Sequence, residues 1–179
     1  GRVSFVAPIS TSPKAKIKKL YFQPFSILDI EYDYRQNKSL QRFKYVGIAF
    51  MYDSLQYDSY KLAISLFLAE FTYYAIRDEQ KNIPLFAYVM NSLQWLDGSN
   101  GSFSNFHLVY MIHLLKFIGF YPNLDDYENG FCFDLRNGCY ISMPPFHRDY
   151  LSAEDTTLLA TFCRMDYSNM HVFKMSHID

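Results

Sequence analysis

The sequence lacks the short motifs that mark common catalytic and nucleotide-binding sites. It has no Gly-rich phosphate loop, no G-x-S-x-G elbow and no H-E-x-x-H pair, and only seven of its 179 residues are glycine. Hydrolytic or transfer chemistry needs a nucleophile, a base and an orienting group in one arrangement. Such a set cannot be assembled from these residues, so the sequence favours a binding protein over an enzyme and predicts no cofactor.

Cysteine is scarce as well. The three cysteines, Cys132, Cys139 and Cys163, are odd in number and have no C-x-x-C spacing. Structural zinc sites and disulfide frameworks need paired, regularly spaced cysteines. We therefore expect free thiols in a reducing cytoplasm and no metal site.

Long apolar runs are also missing. The most apolar stretch, Phe106 to Phe120, contains Lys116, His107 and His113, whereas a membrane span needs about 20 predominantly apolar residues. This pattern predicts a buried helix that ends at Gly119, with Ser102 or Ser104 as its N-cap. The N-terminus has no extended apolar segment typical of a signal peptide, and we expect a cytoplasmic protein.

The net charge of −1 hides an uneven distribution. Residues 1–44 carry nine Lys/Arg and three acids, a net +6, whereas residues 45–179 carry eight Lys/Arg and fifteen acids, a net −7. The basic part contains a lysine run that is followed by two aromatic residues: Lys14, Lys16, Lys18, Lys19, Tyr21 and Phe22. Proteins bind single-stranded nucleic acid with cations that contact the phosphates and aromatic rings that stack on the bases, so this run predicts a DNA-binding segment. The competing interpretation is a solvated basic loop.

Two alternating segments, Ile27–Tyr34 and Leu40–Phe50, predict a β-hairpin with its turn at Asn37–Lys38. Charge and hydrophobicity specify one register on both faces of this hairpin. The predicted pairs are Asp33 with Arg42, Glu31 with Lys44, Tyr32 with Phe43, and Ile30 with Tyr45. Arg42 and Lys44 would then be neutralised within the sheet, which makes them poor phosphate ligands.

Helical periodicity begins after Met51 and continues through most of the remaining chain. The pattern predicts helices over residues 59–77, 85–97 and 153–164, the first capped by Asp58 and the last by Ser152 with Asp155. A small hairpin is predicted over residues 131–142, because Asn137–Gly138 suits a type I′ turn. Residues 143–147 are predicted to be irregular.

A metal-dependent enzyme using Asp125, Asp126 and His107 is a further alternative. Adjacent acids in a loop after a helix are more often solvated. His107 and His113 are six residues apart, about 240° around a helix, so they cannot share a metal ion. The sequence therefore predicts no metal-binding residues.

Several stretches together resemble the RecO family of bacterial DNA repair and recombination mediators. In chain order they read KIKKLYFQPFSILDIEYDYR, AISLFLAEFTYYAIRDE, SFSNFHLVYMIHLLKFIGFYPNLDDY, FDLRNG, YLSAEDTTLLA and RMDYSNMHVF. Each match alone is weak, but the matches follow the family order over nearly the whole chain. They include the helix stop G-F-Y-P-N-L at residues 119–124.

The resemblance implies an α+β protein: a partial N-terminal OB-fold β-barrel over residues 1–51, then a mostly helical domain over residues 52–179. The chain does not begin with Met. By comparison with the family, we expect about two barrel strands to be missing in front and a helical segment behind. Many family members have a four-cysteine zinc site after the Gly–Pro stop. Here Tyr127 and Gly130 match its first cysteine pair, which argues against zinc.

The resemblance also implies a function without catalytic residues. Family members bind and anneal single- and double-stranded DNA, bind the acidic C-terminal tail of the single-strand-binding protein, and assist RecA loading together with RecR. That work is cytoplasmic and nucleoid-associated, with no membrane partner. OB barrels bind DNA through basic loops and strands, which predicts these contacts: Lys14, Lys16, Lys18, Lys19, Arg35 and Lys38. The alternative is a helical protein-interaction scaffold that does not bind DNA.

Overall fold

The computed structural model describes residues 2–8, 17–77, 81–101 and 103–174. Within them the chain forms four α-helices and two three-stranded sheets, so the predicted α+β class is confirmed. The chain divides into two compact units, Gly1–Gly98 and Ser99–Asp179. The boundary predicted between residues 51 and 52 falls inside the first unit and stays a prediction about domain organisation.

The first sheet consists of β1 (Ser4–Val6), β2 (Ile27–Tyr32) and β3 (Leu40–Phe50). β3 lies in the middle, parallel to β1 and antiparallel to β2. A turn of 3-10 helix, Lys19–Phe22, precedes β2. In the part of the chain that the structure describes, these strands form an open sheet and not a closed barrel.

The hairpin of β2 and β3 departs from the predicted register after its first pair. Tyr32 faces Phe43, as predicted, but Glu31 faces Tyr45 and Ile30 faces Val46. Lys44 is therefore an extra residue in β3, a β-bulge that shifts the next four pairs by one. A second irregularity, between Leu28 and Ile27, brings Ile27 opposite Phe50. The predicted pairs of Glu31 with Lys44 and Ile30 with Tyr45 are wrong, because alternation alone does not reveal an inserted residue.

Two helices complete the first unit: α1 (Ser59–Ala75) and α2 (Ile83–Gly98). Asp58 caps α1 as predicted, since its carboxylate accepts the backbone N–H groups of Tyr60 and Lys61. The carboxylate of Asp97, at the end of α2, accepts three more backbone N–H groups at 2.7–3.0 Å: those of Asp53, Ser54 and Leu55.

A buried lysine strengthens that junction. Lys61 is 3% exposed, and its ammonium donates to Ser54 Oγ at 2.7 Å and to the Asp97 carbonyl at 2.8 Å. A buried charge is tolerated only when such partners are present. Asp97 and Lys61 thus fasten the segment after β3 to both helices of the unit.

The second unit contains α3 (Phe106–Ile118) and α4 (Ala153–Arg164). Gly119 ends α3 in the left-handed conformation, at φ 80°. The N-cap position is Asn105, so the Ser104 cap is wrong, and Ser102 lies outside the described residues. The Asn105 amide instead donates to two backbone carbonyls, those of Met170 and Phe173.

The second sheet has the order β5-β4-β6, with β4 at Cys132–Asp134, β5 at Cys139–Ile141 and β6 at Tyr150–Leu151. The predicted hairpin is confirmed, but its type I′ turn is wrong: residues 135–138 form a four-residue loop in which Gly138 has a positive φ and Asn137 does not. β6 was not predicted, because two residues carry no detectable alternation. Asp134 holds the turn by accepting hydrogen bonds from Arg136 N and from Asn137 N and Nδ2. The cap of α4 by Ser152 is also confirmed.

Candidate nucleic-acid interface

The structure describes four of the six residues predicted to bind DNA. Lys14 and Lys16 lie outside the described residues. Lys18 and Lys19 are exposed where the 3-10 turn begins, and Arg35 and Lys38 are exposed in the loop between β2 and β3. The predicted cations therefore fall on two separate segments of the first unit.

Gln41 builds the loop that carries Arg35 and Lys38. This side chain is 4% exposed, and its Oε1 accepts the Arg35 N–H at 2.9 Å. Its Nε2 donates to the carbonyls of Arg35 at 3.0 Å and Lys38 at 2.8 Å. A direct bond from Lys38 N to Arg35 O, 3.1 Å, closes the turn. Because these bonds use backbone groups, both cationic side chains remain available to a ligand.

The loop and the adjoining strand enclose a cavity of about 390 Å³, which we call the hairpin pocket. Four cations, one carboxylate and three neutral residues line it: Arg35, Lys38, Arg42, Lys44, Asp33, Leu40, Gln41 and Phe43. Lys18 and Lys19 do not line it. The cations in this lining outnumber the carboxylate, a charge balance that favours an anionic ligand.

The cations of the hairpin pocket are not all neutralised. Lys44 Nζ lies 2.7 Å from Asp33 Oδ1, so Lys44 is paired within the hairpin, although with Asp33 and not with the predicted Glu31. Arg42 was predicted to pair with Asp33; instead, the Arg42 side chain has no hydrogen-bond or ion-pair partner among the described residues. Sequence reasoning thus missed Arg42 as a candidate, because it assigned the Asp33 carboxylate to Arg42, whereas that carboxylate pairs with Lys44.

The aromatic residue beside the lysine run is part of the fold. Phe22 packs against Phe43 with ring centroids 5.9 Å apart, and Phe43 stacks on Phe5 at 4.3 Å. Phe22 also lines a second, apolar cavity of about 680 Å³ between the sheet and α2, which we call the apolar groove. Phe86, Val89 and Met90 of α2 form its other wall.

The residues of the metal alternative do not converge on one site. Among the described residues, no group of three or more His, Cys, Asp or Glu could hold a metal ion. Asp126 accepts a hydrogen bond from the Asn123 amide at 2.9 Å, and burial lowers the pKa of His107. The cysteines are free thiols, with Cys132 and Cys163 buried and Cys139 exposed. No helix within the described ranges is long and apolar enough to cross a membrane.

Comparison with known proteins gives one consistent result. The family model "Recombination protein O C terminal" matches residues 56–177. A DNA repair protein RecO of Bacteroides fragilis is 44% identical over 180 residues, which cover all of this chain and 74% of that protein. The RecO of Phocaeicola vulgatus is 42% identical over 179 residues, with the same coverage of each chain. The RecO of Flavobacterium johnsoniae is 34% identical over 97% of this chain and 71% of its own.

These matches extend from the basic sheet of the first unit through the helices of the second. They include the stretches on which the resemblance was based, and the family model covers α1 to α4. The chain therefore belongs to the RecO family of DNA repair proteins.

Proposed function

We propose that the chain is a non-enzymatic mediator of DNA repair and recombination that binds single- and double-stranded DNA and promotes annealing. Membership of the RecO family supports the repair role. The observation that carries DNA binding is the hairpin pocket, where Arg35 and Lys38 lie on one loop that Gln41 holds in shape. In this proposal, further contacts with the DNA backbone come from the four lysines Lys14, Lys16, Lys18 and Lys19.

The DNA-binding module is, in this proposal, part of an OB-fold barrel. An OB fold is a five-stranded, partly open Greek-key barrel that binds oligonucleotides through particular loops. The described sheet supports it, because a short strand leads through a 3-10 turn to a hairpin whose second strand runs parallel to the first. In this proposal, further strands beside β1 and β2, the outer strands of the described sheet, would close such a barrel.

The protein partners come from the family resemblance. We infer that the chain acts with RecR, binds the acidic C-terminal tail of the single-strand-binding protein, and assists RecA loading at the nucleoid in the cytoplasm. The contrast in charge between residues 1–44 and residues 45–179 supports separate surfaces for DNA and for proteins.

A salt titration of DNA binding tests the proposal. Anisotropy of a fluorescein-labelled oligo-dT is measured against the chain between about 50 and 200 mM salt. Each phosphate contact contributes about 0.7 to the slope of log K against log salt for a single strand. Arg35→Ala with Lys38→Ala should therefore lower the slope by about 1.4, and alanine at the four lysines 14, 16, 18 and 19 should lower it further.

The matched control is Arg77→Ala with Lys81→Ala. It removes the same two charges from exposed positions outside the hairpin pocket, and its slope should equal that of the wild type. DNA binding with equal slopes in all variants would mean that the site is misplaced. Absence of salt-dependent binding by the wild type would refute the DNA-binding function itself.

A second candidate function is a protein-interaction scaffold without a DNA role. It is favoured by the apolar surface of α1, where Phe67 is 50% exposed and Tyr74 63% exposed beside a cavity of about 550 Å³. Exposed apolar patches of this kind mark interaction sites. A short acidic peptide ending in an aromatic residue should raise the melting temperature in a thermal-shift assay. A rise in melting temperature without DNA binding would favour the scaffold over the mediator.

A further inference from the structure

We propose that the hairpin pocket is a discrete site for one backbone phosphate of DNA, and that Arg42 is its central ligand. The inference rests on the proposed DNA-binding function and adds to it a residue that the sequence pattern had set aside. It is carried by three features of the pocket: the uncommitted guanidinium of Arg42, the Asp33–Lys44 pair, and the frame built by Gln41.

The charge balance of the pocket calls for an anion. Arg35, Lys38, Arg42 and Lys44 face a single carboxylate, that of Asp33, and the 2.7 Å contact commits this carboxylate to Lys44. Three cationic side chains are left without an acidic partner among the described residues. Like charges around one cavity repel each other, and a bound phosphate offsets that repulsion because it attracts each of the cations.

The chemistry of Arg42 suits a phosphodiester. A guanidinium offers a planar fork of N–H donors that can bind two phosphate oxygens at once, whereas an ammonium acts as a point charge. Arg42 is exposed and follows Gln41, whose buried side chain is anchored at the opposite end of the loop. The guanidinium thus starts from a fixed strand position, while Arg35 and Lys38 approach from a fixed turn.

The Asp33–Lys44 pair keeps Arg42 available. Both side chains are more than half exposed, so the pair contributes little to the stability of the fold. Its consequence lies in charge placement, because a carboxylate bound to Lys44 is not free to neutralise Arg42.

Arginine and lysine substitutions at position 42 test the site with the oligo-dT anisotropy titration. Arg42→Gln should weaken binding several-fold and lower the salt slope by about 0.7. Arg42→Lys should restore the slope, because the charge returns, but only part of the affinity, because the fork is lost. Arg77→Gln, which removes one exposed charge outside the pocket, should behave as the wild type.

A variant that is expected to bind DNA more tightly distinguishes loss of the site from misfolding of the variant. Asp33→Asn removes the only carboxylate of the pocket and should tighten binding, with a slope higher by about 0.7. A damaged protein does not bind more tightly, so this result would support the site on its own. A wild type that binds DNA while Arg42→Gln and Asp33→Asn leave the slope unchanged would overturn the Arg42 site and leave the DNA-binding function standing. A wild type without salt-dependent binding would refute both.

Discussion

The two units of the chain differ in how completely they bury their apolar side chains. In the second unit, α3 buries Phe106, Val109, Tyr110 and Leu114 completely, each at 0% exposure. In the first unit, the face between the sheet and α2 stays open as the apolar groove, and Phe86 on its wall is 62% exposed. Most exposed large apolar side chains among the described residues belong to this first unit. The second unit therefore has a closed hydrophobic core, whereas the first unit exposes apolar surfaces on which other chains or strands could pack.

The two units also differ in the kinds of charged and titratable side chains that they carry. The first unit carries its cations on an exposed hairpin, and it fastens its helices through Asp97 and Lys61. The second unit carries every histidine of the sequence, including His107 and His113 on α3. Salt should therefore act mainly through the first unit, and mild acid through the second.

The largest expected effect is the truncation of a buried side chain in the second unit. Leu114→Ala should lower the free energy of unfolding by about 2–5 kcal/mol, because it removes contacts and leaves a cavity in a closed core. Phe86→Ala removes a larger side chain from the apolar groove, yet it should cost less than about 1 kcal/mol, because that ring is already exposed. Chemical denaturation followed by circular dichroism measures both, and equal losses would contradict the comparison.

Asp97 is the next largest effect, and it tests whether the helical side of the first unit is firmly held. Asp97→Ala leaves three backbone N–H groups without the carboxylate that accepts them, which should cost about 3 kcal/mol. Trp95, the single tryptophan, lies two residues away and reports the transition by fluorescence. The matched Asp58→Asn should be nearly neutral, because asparagine is an equally good N-cap. A loss below about 1 kcal/mol for Asp97→Ala would mean that the junction is held by packing alone.

Alanine substitutions at two glycines should have a smaller effect on stability, and they distinguish backbone strain from side-chain crowding. Gly119 has φ 80°, so Gly119→Ala should cost about 1 kcal/mol through the left-handed backbone, although no atom lies within 4 Å of the new Cβ. A Cβ at Gly47 would meet Tyr45 Oη at 2.5 Å, but that ring is 53% exposed and can move aside. Gly47→Ala should therefore stay within about 0.5 kcal/mol of the wild type. Thermal melts of both variants decide this, and a costlier Gly47→Ala would show that the sheet is more tightly packed than its exposure indicates.

Local signals in the sequence were sufficient to predict most elements of the fold. The caps at Asp58 and Ser152, the stop at Gly119 and the hairpin around Gly138 act over a few residues, and each appears where it was predicted. The bulge at Lys44 and the strand β6 could not be predicted, because both depend on pairing with a partner strand and leave no local pattern. The Asp97 junction joins positions more than forty residues apart, which periodicity does not detect.

The candidate site was predicted only in part, for the same reason. Arg35 and Lys38 were found because charge in a turn is visible in the sequence, and the structure brings both to one pocket. Arg42 was excluded because the assumed register gave it Asp33, whereas the Asp33 carboxylate pairs with Lys44 instead. The role of Gln41 had no sequence signal beyond a polar residue at the start of an alternating strand.

The smallest expected effect is a difference between the units in mild acid. Burial lowers the pKa of His113, and Lys116 lowers it further, against the opposing influence of the Met165 carbonyl and Asp166. A histidine in the unfolded chain titrates near about 6.5. As the pH falls through that value, the unfolded state binds protons that the folded state resists, so the second unit loses stability. The loss should be modest, because the ring is only half-buried and solvent screens part of its charge.

The first unit should respond at a lower pH, because it has no histidine. Burial acts to raise the pKa of Asp97, but three backbone N–H groups and the Ser54 hydroxyl outweigh it and hold that pKa below its usual value. The contribution of Asp97 is therefore complete above about pH 4 and is lost as the pH falls further. Hydrogen exchange, corrected for intrinsic rates, should show protection falling in residues 106–118 between about pH 7 and 5.5 while residues 59–75 stay unchanged. His113→Leu should remove part of that fall, and parallel losses in both helices would contradict the assignment, because they would require a titrating group that the first unit does not contain.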